Sequence, residues 1–538
     1  MPEPLNIASR LLEANLLAGR GDKLALSCEG QRMTYAEVSR AVNRAGNTLQ
    51  ALGVEMENRV VLILPDSPAF VVSFLGAIKI GAVPVPLNPL LPLHEYPFYL
   101  NNSRAKIVIA DASVACPLEE MRAQMPLLKQ LVVVDPGAPM HDRGAVTCPA
   151  EAREIGVITT PNTSKLTPFA DLIGAASDTL QAADTCTDDV AFWLYTSGST
   201  GRPKAAVHLQ HDILVCCEGF GHHVLEITEQ DITFSAAKLF FAYGLGNSLY
   251  YPFWAGATTV LSSGRPTPEE IFEIIDREHP TIFYAVPTLY ARLLSVEDGA
   301  TRYDLSSVRL CISAGEPLPP DLYHRWKARF GLKILDGLGT TELLQTFISN
   351  RPGRCKPGSS GTVVPGYDVR LVDEAGEPVL PGTFGHLMVK GDSALAYYWN
   401  QHAKTQATIQ GEWVYTGDRY LQDTEGYFWF QGRSDEMFKV NGQWVSPLEV
   451  EVVLRQHPAV AEAAVVQGVD GDGLVKPKAF VVLNSGCQAC DALMTELQAF
   501  ARQHMAAHKY PRWIHFRADL PRTATGKLQR YKLAQESK

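Results

Sequence analysis

Tyr195-Thr196-Ser197-Gly198-Ser199-Thr200-Gly201-Arg202-Pro203-Lys204 is the stretch on which the reading of this chain turns. Residues 190–195 ahead of it are apolar, with β-formers and aromatics, and predict a buried strand. Residues 205–209 behind it are apolar again. Between lie two glycines, four hydroxyl residues and two cations. Glycine lets backbone N–H groups approach and surround an oxyanion. Thr196, Ser197, Ser199 and Thr200 add hydroxyl donors, and Lys204 adds charge. That is the chemistry of a polyphosphate cradle. Its spacing differs from the common P-loop, which places Gly-Lys-Ser/Thr directly before a helix.

Outward from this loop the pattern alternates between strand and helix. Thr34-Tyr35-Ala36-Glu37 has the form of a capping box and opens a helix expected to run to about Leu52 and stop at Gly53. Residues 59–64 predict a buried strand, 68–80 a helix closed by Gly81, and 83–87 a second strand. That βαβ unit implies a parallel sheet covered by helices. Short apolar strands are expected at 106–110 and 131–134. Residues 136–188 are rich in Pro, Thr and Ala and are expected to form a long connection. Strands are expected again at 232–235, 258–261, 281–285, 308–312 and 333–335, with a helix starting at Thr267-Pro268-Glu269-Glu270. Residues 357–432 turn Gly-rich with short alternating runs and predict a β-rich subdomain. A last segment, from about 434 to 538, predicts strands near 463–466, 479–483 and 513–516 and a helix near 493–504. It is long enough for an independent α+β domain. The fold class is therefore α/β: layered α/β subdomains plus a β-rich one in residues 1–432, and a small α+β domain in residues 433–538.

The balance of 46% apolar and 20% charged residues is that of a soluble globular protein. The net charge of −10, with no long basic run, argues against a nucleic-acid partner. Asp66, Lys79 and prolines interrupt the most apolar region, 60–87, so no transmembrane span is expected. The first residues lack the blocks of a signal peptide. Ten scattered cysteines suit a reducing cytoplasm. Cys487 and Cys490 have metal or redox spacing, but no second pair or following His supports it, and the spacing reads as accidental.

Five further stretches join the loop in order. They are Ser313-Ala314-Gly315-Glu316-Pro317, Asp336-Gly337-Leu338-Gly339-Thr340-Thr341-Glu342, Tyr415-Thr416-Gly417-Asp418, Gly432-Arg433-Ser434-Asp435 and Pro521-Arg522-Thr523-Ala524-Thr525-Gly526-Lys527. Together they resemble the motifs of the adenylate-forming superfamily: acyl-CoA synthetases, adenylation domains and luciferases. The first 190 residues agree through broader features, such as 34–37 and 76–87. The resemblance implies a large N-terminal domain, a small mobile C-terminal domain and two half-reactions. Carboxylate first attacks the α-phosphate of ATP, and the acyl-adenylate then reacts with a thiol. It also implies roles. Thr196 to Gly201 and Lys204 would hold phosphates, and Ala314, Gly315, Glu316, Asp336, Gly337 and Thr341 would hold the nucleotide. Glu342 would bind Mg²⁺, which takes one or two carboxylates alongside phosphate oxygens. Asp418 would accept from the ribose, Arg433 would contact ribose or phosphate, and Asp435 would be the hinge. Lys527 would reach into the site during adenylation, as suits a flexible ammonium. After rotation, Lys439 and Gly442 would face the site and CoA would enter.

With no carrier domain past Lys527, CoA is the expected acceptor; loading of a separate carrier protein is the alternative. Ala236 to Asn247 and Lys439 to Pro447 look like the benzoate-CoA and hydroxybenzoate-CoA ligase branch. There Phe241 is the aromatic gate, and Ala242, Tyr243, Ala314 and Gly339 line a flat acid pocket in which Tyr243 would stack on a ring. Gln345 and Thr346 depart from the His and aliphatic residue of benzoate-type relatives. Both are expected to line the acid pocket, so a hydroxy- or aminobenzoate is favoured, because a bare ring would strand their polar groups at about 1–3 kcal/mol. An acid that is not aromatic is the other alternative. His208 and His211 are expected to be structural, since an ionised carboxylate needs no general base. The resemblance also admits a homodimer, and acetylation of Lys527, which would remove its charge.

Overall fold

The structure, a computed structural model, describes residues 3–135, 166–196, 203–434, 436–440, 443–471, 473–522 and 528–536. The chain packs into two compact units, residues 1–368 with 389–414, and residues 369–388 with 415–538. The expected boundary at 432/433 falls within the second unit.

Local signals decide the first helices. Thr34 accepts from the Glu37 N–H, and the Glu37 carboxylate accepts from the Thr34 N–H at 2.8 Å, which closes the capping box of Tyr35–Ala51. Thr267 and Glu270 do the same for Pro268–Glu278. Ser67 caps Pro68–Lys79, whose proline takes the first turn, where its missing N–H costs nothing. Every residue of that helix is buried, which explains why all but Ser73 and Lys79 are apolar.

Among the described residues, the first unit holds three sheets. One is parallel throughout, in the order Val83–Pro86, Arg59–Ile63, Ile107–Asp111, Gln130–Val134, Thr167–Pro168. Its last strand, and the helix Phe169–Ala175 after it, lie inside the segment expected to be a plain connection. A two-residue strand is too short to show a period, and Pro168 is tolerated there because the strand is at the edge. The second sheet has nine strands. From Leu24–Cys28 through Thr258–Leu261, Ile232–Ser235, Ile282–Ala285 and Leu310–Ser313 to Ile334–Gly339 the neighbours are parallel, and the flanking strands Gln31–Thr34, Thr346–Ser349 and Thr362–Val363 are antiparallel. The third is an antiparallel ribbon of Val190–Thr196, Lys204–Leu209 and Tyr397–Tyr398. Trp193 and Val207 of this ribbon pack into the core of the parallel sheet with Val61, Val108 and Val133, so the ribbon's open end is held on a rigid base.

In the second unit, residues 418–422 pair antiparallel with the strand Phe428–Arg433. Val460–Val469, Val475–Leu483 and Trp513–Arg517 form a separate sheet. The helices Pro447–Arg455 and Asp491–His504 cover it, with Val450, Leu454, Val465, Val481 and Leu497 in the core. Cys490 caps the second helix by accepting from the Leu493 N–H, and Cys487 is exposed. No cluster of three metal-ligating side chains exists among the described residues. No described helix is long and apolar enough to cross a membrane.

Candidate active site

Thr196 and Lys204 face each other across the mouth of the antiparallel ribbon. Ser197, Gly198, Ser199, Thr200 and Gly201 lie outside the described residues. The Lys204 ammonium donates to the Tyr398 hydroxyl at 2.6 Å, and that hydroxyl donates to Glu342 Oε1 at 2.5 Å. Lys204 also lies 3.0 Å from the same carboxylate oxygen and 4.2 Å from the centre of the Tyr398 ring. Burial pushes the Glu342 carboxyl upward. The Lys204 charge and the hydrogen bonds from Tyr398 and Lys204 outweigh burial and hold it below the usual carboxylate range. Tyr398 was not legible as a site residue. It reaches Lys204 by pairing its strand with Ala206, across 194 residues of sequence.

The turn that presents Glu342 is fixed at three successive carbonyls. His208 Nε2 lies 2.8 Å from the Thr341 carbonyl, the Leu395 N–H donates to that of Glu342 at 2.7 Å, and the Ser393 hydroxyl donates to that of Leu343 at 2.9 Å. A carbonyl only accepts, so His208 Nε2 donates to it. Its Nδ1 is 2.7 Å from Asp212 Oδ2, and both side chains are fully buried. This is the structural role expected of His208. His211 likewise contacts backbone carbonyls, those of Thr187 and Asp392.

Leu344 then adopts φ 63° and ψ −43°, with the Gln345 N–H bonded to the Leu343 carbonyl at 2.7 Å. That is a γ-turn of the rare strained kind, on a fully buried leucine. The turn separates Glu342 from Gln345 and Thr346 by a reversal centred on one residue, so all three share one short segment.

Phe241, Ala242 and Tyr243 open a helical turn that passes into a π-helical segment, Gly246–Tyr250, of the kind frequent at functional sites. The Tyr243 hydroxyl points at the Ile312 carbonyl, 3.3 Å away, and burial raises it well above the usual tyrosine value. Gln345 Nε2 donates to the carbonyls of Ala242 and Tyr243 at 3.1 and 3.3 Å, and its Oε1 accepts from Thr346 at 3.2 Å. The two groups expected to await a substituted ring are therefore bonded within the protein. They tie the strand beginning at Thr346 to the helical turn at Ala242 and Tyr243 and are not left waiting for a polar substituent. Two glycines make this closeness possible. A β-carbon on Gly246 would lie 2.3 Å from Gln345 Nε2, and one on Gly339 would lie 2.7 Å from the Gln345 carbonyl oxygen.

Ala314, Gly315 and Glu316 follow the strand Leu310–Ser313, whose last residue pairs with Asp336 on the neighbouring parallel strand. Gly337 is next on that strand. These residues therefore lie at the carboxyl ends of adjacent parallel strands, the usual place for a nucleotide in an open α/β sheet. Asp336 is buried, which pushes its carboxyl up to about 8 against the Ser313 hydroxyl and the Leu318 and Gly337 N–H groups. By accepting from the Leu318 N–H at 3.3 Å, the buried Asp336 carboxyl ties the end of its strand to the segment that follows Ser313.

In the second unit, Arg433 donates to Asp418 Oδ1 at 3.0 Å and to the Thr416 carbonyl at 3.1 Å. The two residues expected at the ribose thus stand side by side on paired strands. Lys439 is exposed beside the Trp444 ring, 4.8 Å from its centre. Asp435, Gly442 and Lys527 lie outside the described residues.

Comparison with known proteins agrees with this chemistry. The AMP-binding enzyme family matches residues 13–399, and the AMP-binding enzyme C-terminal domain matches residues 449–527. A benzoate–CoA ligase of Thauera aromatica is 45% identical over 99% of this chain and 96% of its own. The solved structure of a benzoate CoA ligase from Burkholderia xenovorans LB400 is 42% identical, with a TM-score of 0.85 over 98% of this chain and 99% of that one. That of the anthranilate CoA ligase AuaEII in complex with anthranoyl-AMP is 40% identical, with a TM-score of 0.88 over 100% and 98%. With both matches in sequence order and relatives of this identity along the whole length, the chain belongs to the AMP-binding enzyme family, in its benzoate–CoA ligase branch.

Proposed function

We infer that the protein is an AMP-forming aryl acid–CoA ligase acting on benzoate or a small hydroxy- or aminobenzoate. One observation carries the reading. The single segment from Gly339 to Thr346 carries both the carboxylate bonded to Lys204 and the Gln345 amide bonded to the carbonyls of Ala242 and Tyr243, the residues this reading assigns to the acid. An acid lying against those residues has its carboxylate end near the groups that manage phosphate charge. In the first half-reaction a carboxylate oxygen bonds to the α-phosphorus of ATP and pyrophosphate leaves. In the second, the CoA sulfur bonds to the acyl carbon and AMP leaves. The relative solved with anthranoyl-AMP bound supports an adenylate intermediate.

The chain's own groups divide the work. Lys204 and the loop from Thr196 to Gly201 hold the phosphates, and the loop's hydroxyl and N–H donors meet the charge that develops there. Asp418 and Arg433 take the ribose side. Ala314, Gly315, Glu316, Gly337 and Thr341 take the nucleotide, with Asp336 bracing their strands. Glu342 fits Mg²⁺, because it stays ionised although buried and because this metal completes its shell with phosphate oxygens rather than a protein cage. When bound, Mg²⁺ supplies charge neutralisation at the phosphates. Lys527 enters for adenylation, and rotation about Asp435 replaces it with Lys439 and Gly442 for the thiol step. The small domain of this reading is residues 433–538.

The bonded state of Gln345 and Thr346 removes the reason to exclude benzoate itself, so benzoate heads the substrate series. Pyrophosphate release with benzoate, its hydroxy and amino isomers, cinnamate and aliphatic acids tests this. Benzoate and its small derivatives should lead by about tenfold or more, the scale of pocket discrimination. Faster turnover of an aliphatic acid would overturn the aryl reading.

A further inference from the structure

Arg530 stands three residues past Lys527 and opens the helix Arg530–Gln535. Its guanidinium holds two carboxylates. Nε and NH2 make a fork to Glu451 at 3.1 and 2.8 Å, and NH1 reaches Glu436 at 2.9 Å. Glu451 sits on the helix Pro447–Arg455 with its side chain 4% exposed, and its Oε1 also accepts from the Val465 N–H. Glu436 directly follows Asp435 in sequence and is 29% exposed.

The two arms do different jobs. A buried carboxylate needs a bonded cation, and Glu451 has one in its fork with Arg530. Neutralising Arg530 is complete at that point. The Glu436 arm adds a second negative charge that the core does not require. What it adds is a connection between the residue after the proposed pivot and the base of the segment bearing Lys527. That base is also clasped on its own: the Gln529 N–H donates to the Pro521 carbonyl at 2.8 Å, and Arg522 forms a bridge with Leu528 and an ion pair with Glu462 at 2.6 Å.

We propose that Arg530 is a positioning residue for adenylation: through Glu436 it ties the base of the Lys527 segment to the residue beside the pivot, and so sets where the lysine arrives. The proposal rests on the reading of Lys527 and Asp435 given above. It distinguishes the half-reactions, because the thiol step does not use Lys527.

The variant to make is Glu436→Gln, which leaves the buried Glu451 fork intact. In the full-length protein three quantities are measured: pyrophosphate release without CoA in a single turnover, thioester formation from supplied benzoyl-adenylate and CoA, and the thermal midpoint. Adenylation should fall about tenfold in rate with the ATP KM within about twofold, the supplied-adenylate reaction should stay within about twofold, and the midpoint should not move. Arg530→Lys, which keeps the charge but cannot hold both carboxylates, should show the same split. In a Lys527→Ala background, Glu436→Gln should cost nothing further, as expected of coupled residues. Unchanged adenylation in Glu436→Gln, alongside its loss in Lys527→Ala, overturns the proposal alone. Equal loss of both half-reactions with a lowered midpoint overturns it in favour of a structural ion pair. Normal adenylation in Lys527→Ala overturns the reading beneath it, and the proposal with it.

Discussion

Tyr398 shows what a single hydroxyl can do at this site. It takes a hydrogen bond from Lys204 and gives one to Glu342, so it orders both partners of the ion pair. Tyr398→Phe keeps the ring beneath the ammonium and deletes that relay. Adenylation should fall about tenfold, the scale of a hydrogen bond to a charged group, and half-maximal Mg²⁺ should rise. Titration of Mg²⁺ at saturating ATP reads this, and an unchanged Mg²⁺ midpoint would contradict it. Asp336 makes a pH prediction. Its folded form keeps a proton to about 8, whereas an unfolded aspartate releases it near about 3.9. At this group the folded state therefore binds more protons between those values, and the contribution of Asp336 to stability declines as pH rises through them. Asp336→Asn has no such group, so its stability relative to wild type should improve from pH 5 to 8. Urea midpoints at several pH values check this; a constant difference would refute a protonated Asp336. At this scale contiguous motifs singled out Lys204 and Glu342, and the structure brings those two side chains together. Tyr398 escaped because strand pairing, not spacing, brings it in.

The element that most repays attention is the turn from Thr340 to Thr346. A strand end, a short helical turn and a strained γ-turn at Leu344 deliver Glu342 and Gln345 in different directions from one segment. Nothing in Leu343-Leu344 announces that geometry, because leucine is rare at positive φ and only the buried surroundings impose it. His208 is part of that imposition. His208→Ala would leave the Thr341 carbonyl and the Asp212 carboxylate short of a buried partner, at about 1–3 kcal/mol each. Lower stability and a higher Mg²⁺ requirement should appear together, and His208→Gln, which can still donate, should recover part of both. Denaturant midpoints and Mg²⁺ titrations of the two variants decide it. A loss of stability with no change in Mg²⁺ requirement would limit His208 to packing. By contrast, the helices Tyr35–Ala51 and Pro268–Glu278 were legible from their capping boxes, whose bonds span three residues. The helix Phe169–Ala175 was not, since seven residues after a proline carry too little pattern.

On the scale of the whole chain, the sequence order of the motifs carried the family, and the alternation of apolar strands with helices carried the α/β class. It did not carry how residues 369–388 and 415–432 group with the chain's last hundred residues. Short alternating strands look alike whichever unit they join. The division of labour proposed for Lys527 belongs to this scale too. Lys527→Ala should cut pyrophosphate release by about a hundredfold or more while leaving thioester formation from supplied benzoyl-adenylate within about threefold, as a transition-state cation on one half-reaction requires. Equal loss in both would sink the alternation.

The most direct test of the central claim is to follow the acyl product with ATP, Mg²⁺ and benzoate, with and without CoA. An aryl acid–CoA ligase should convert benzoate to benzoyl-CoA with one AMP per thioester and turn over only when CoA is present. Pyrophosphate release indifferent to CoA, with adenylate accumulating and no thioester, would contradict it and turn attention to a separate carrier protein.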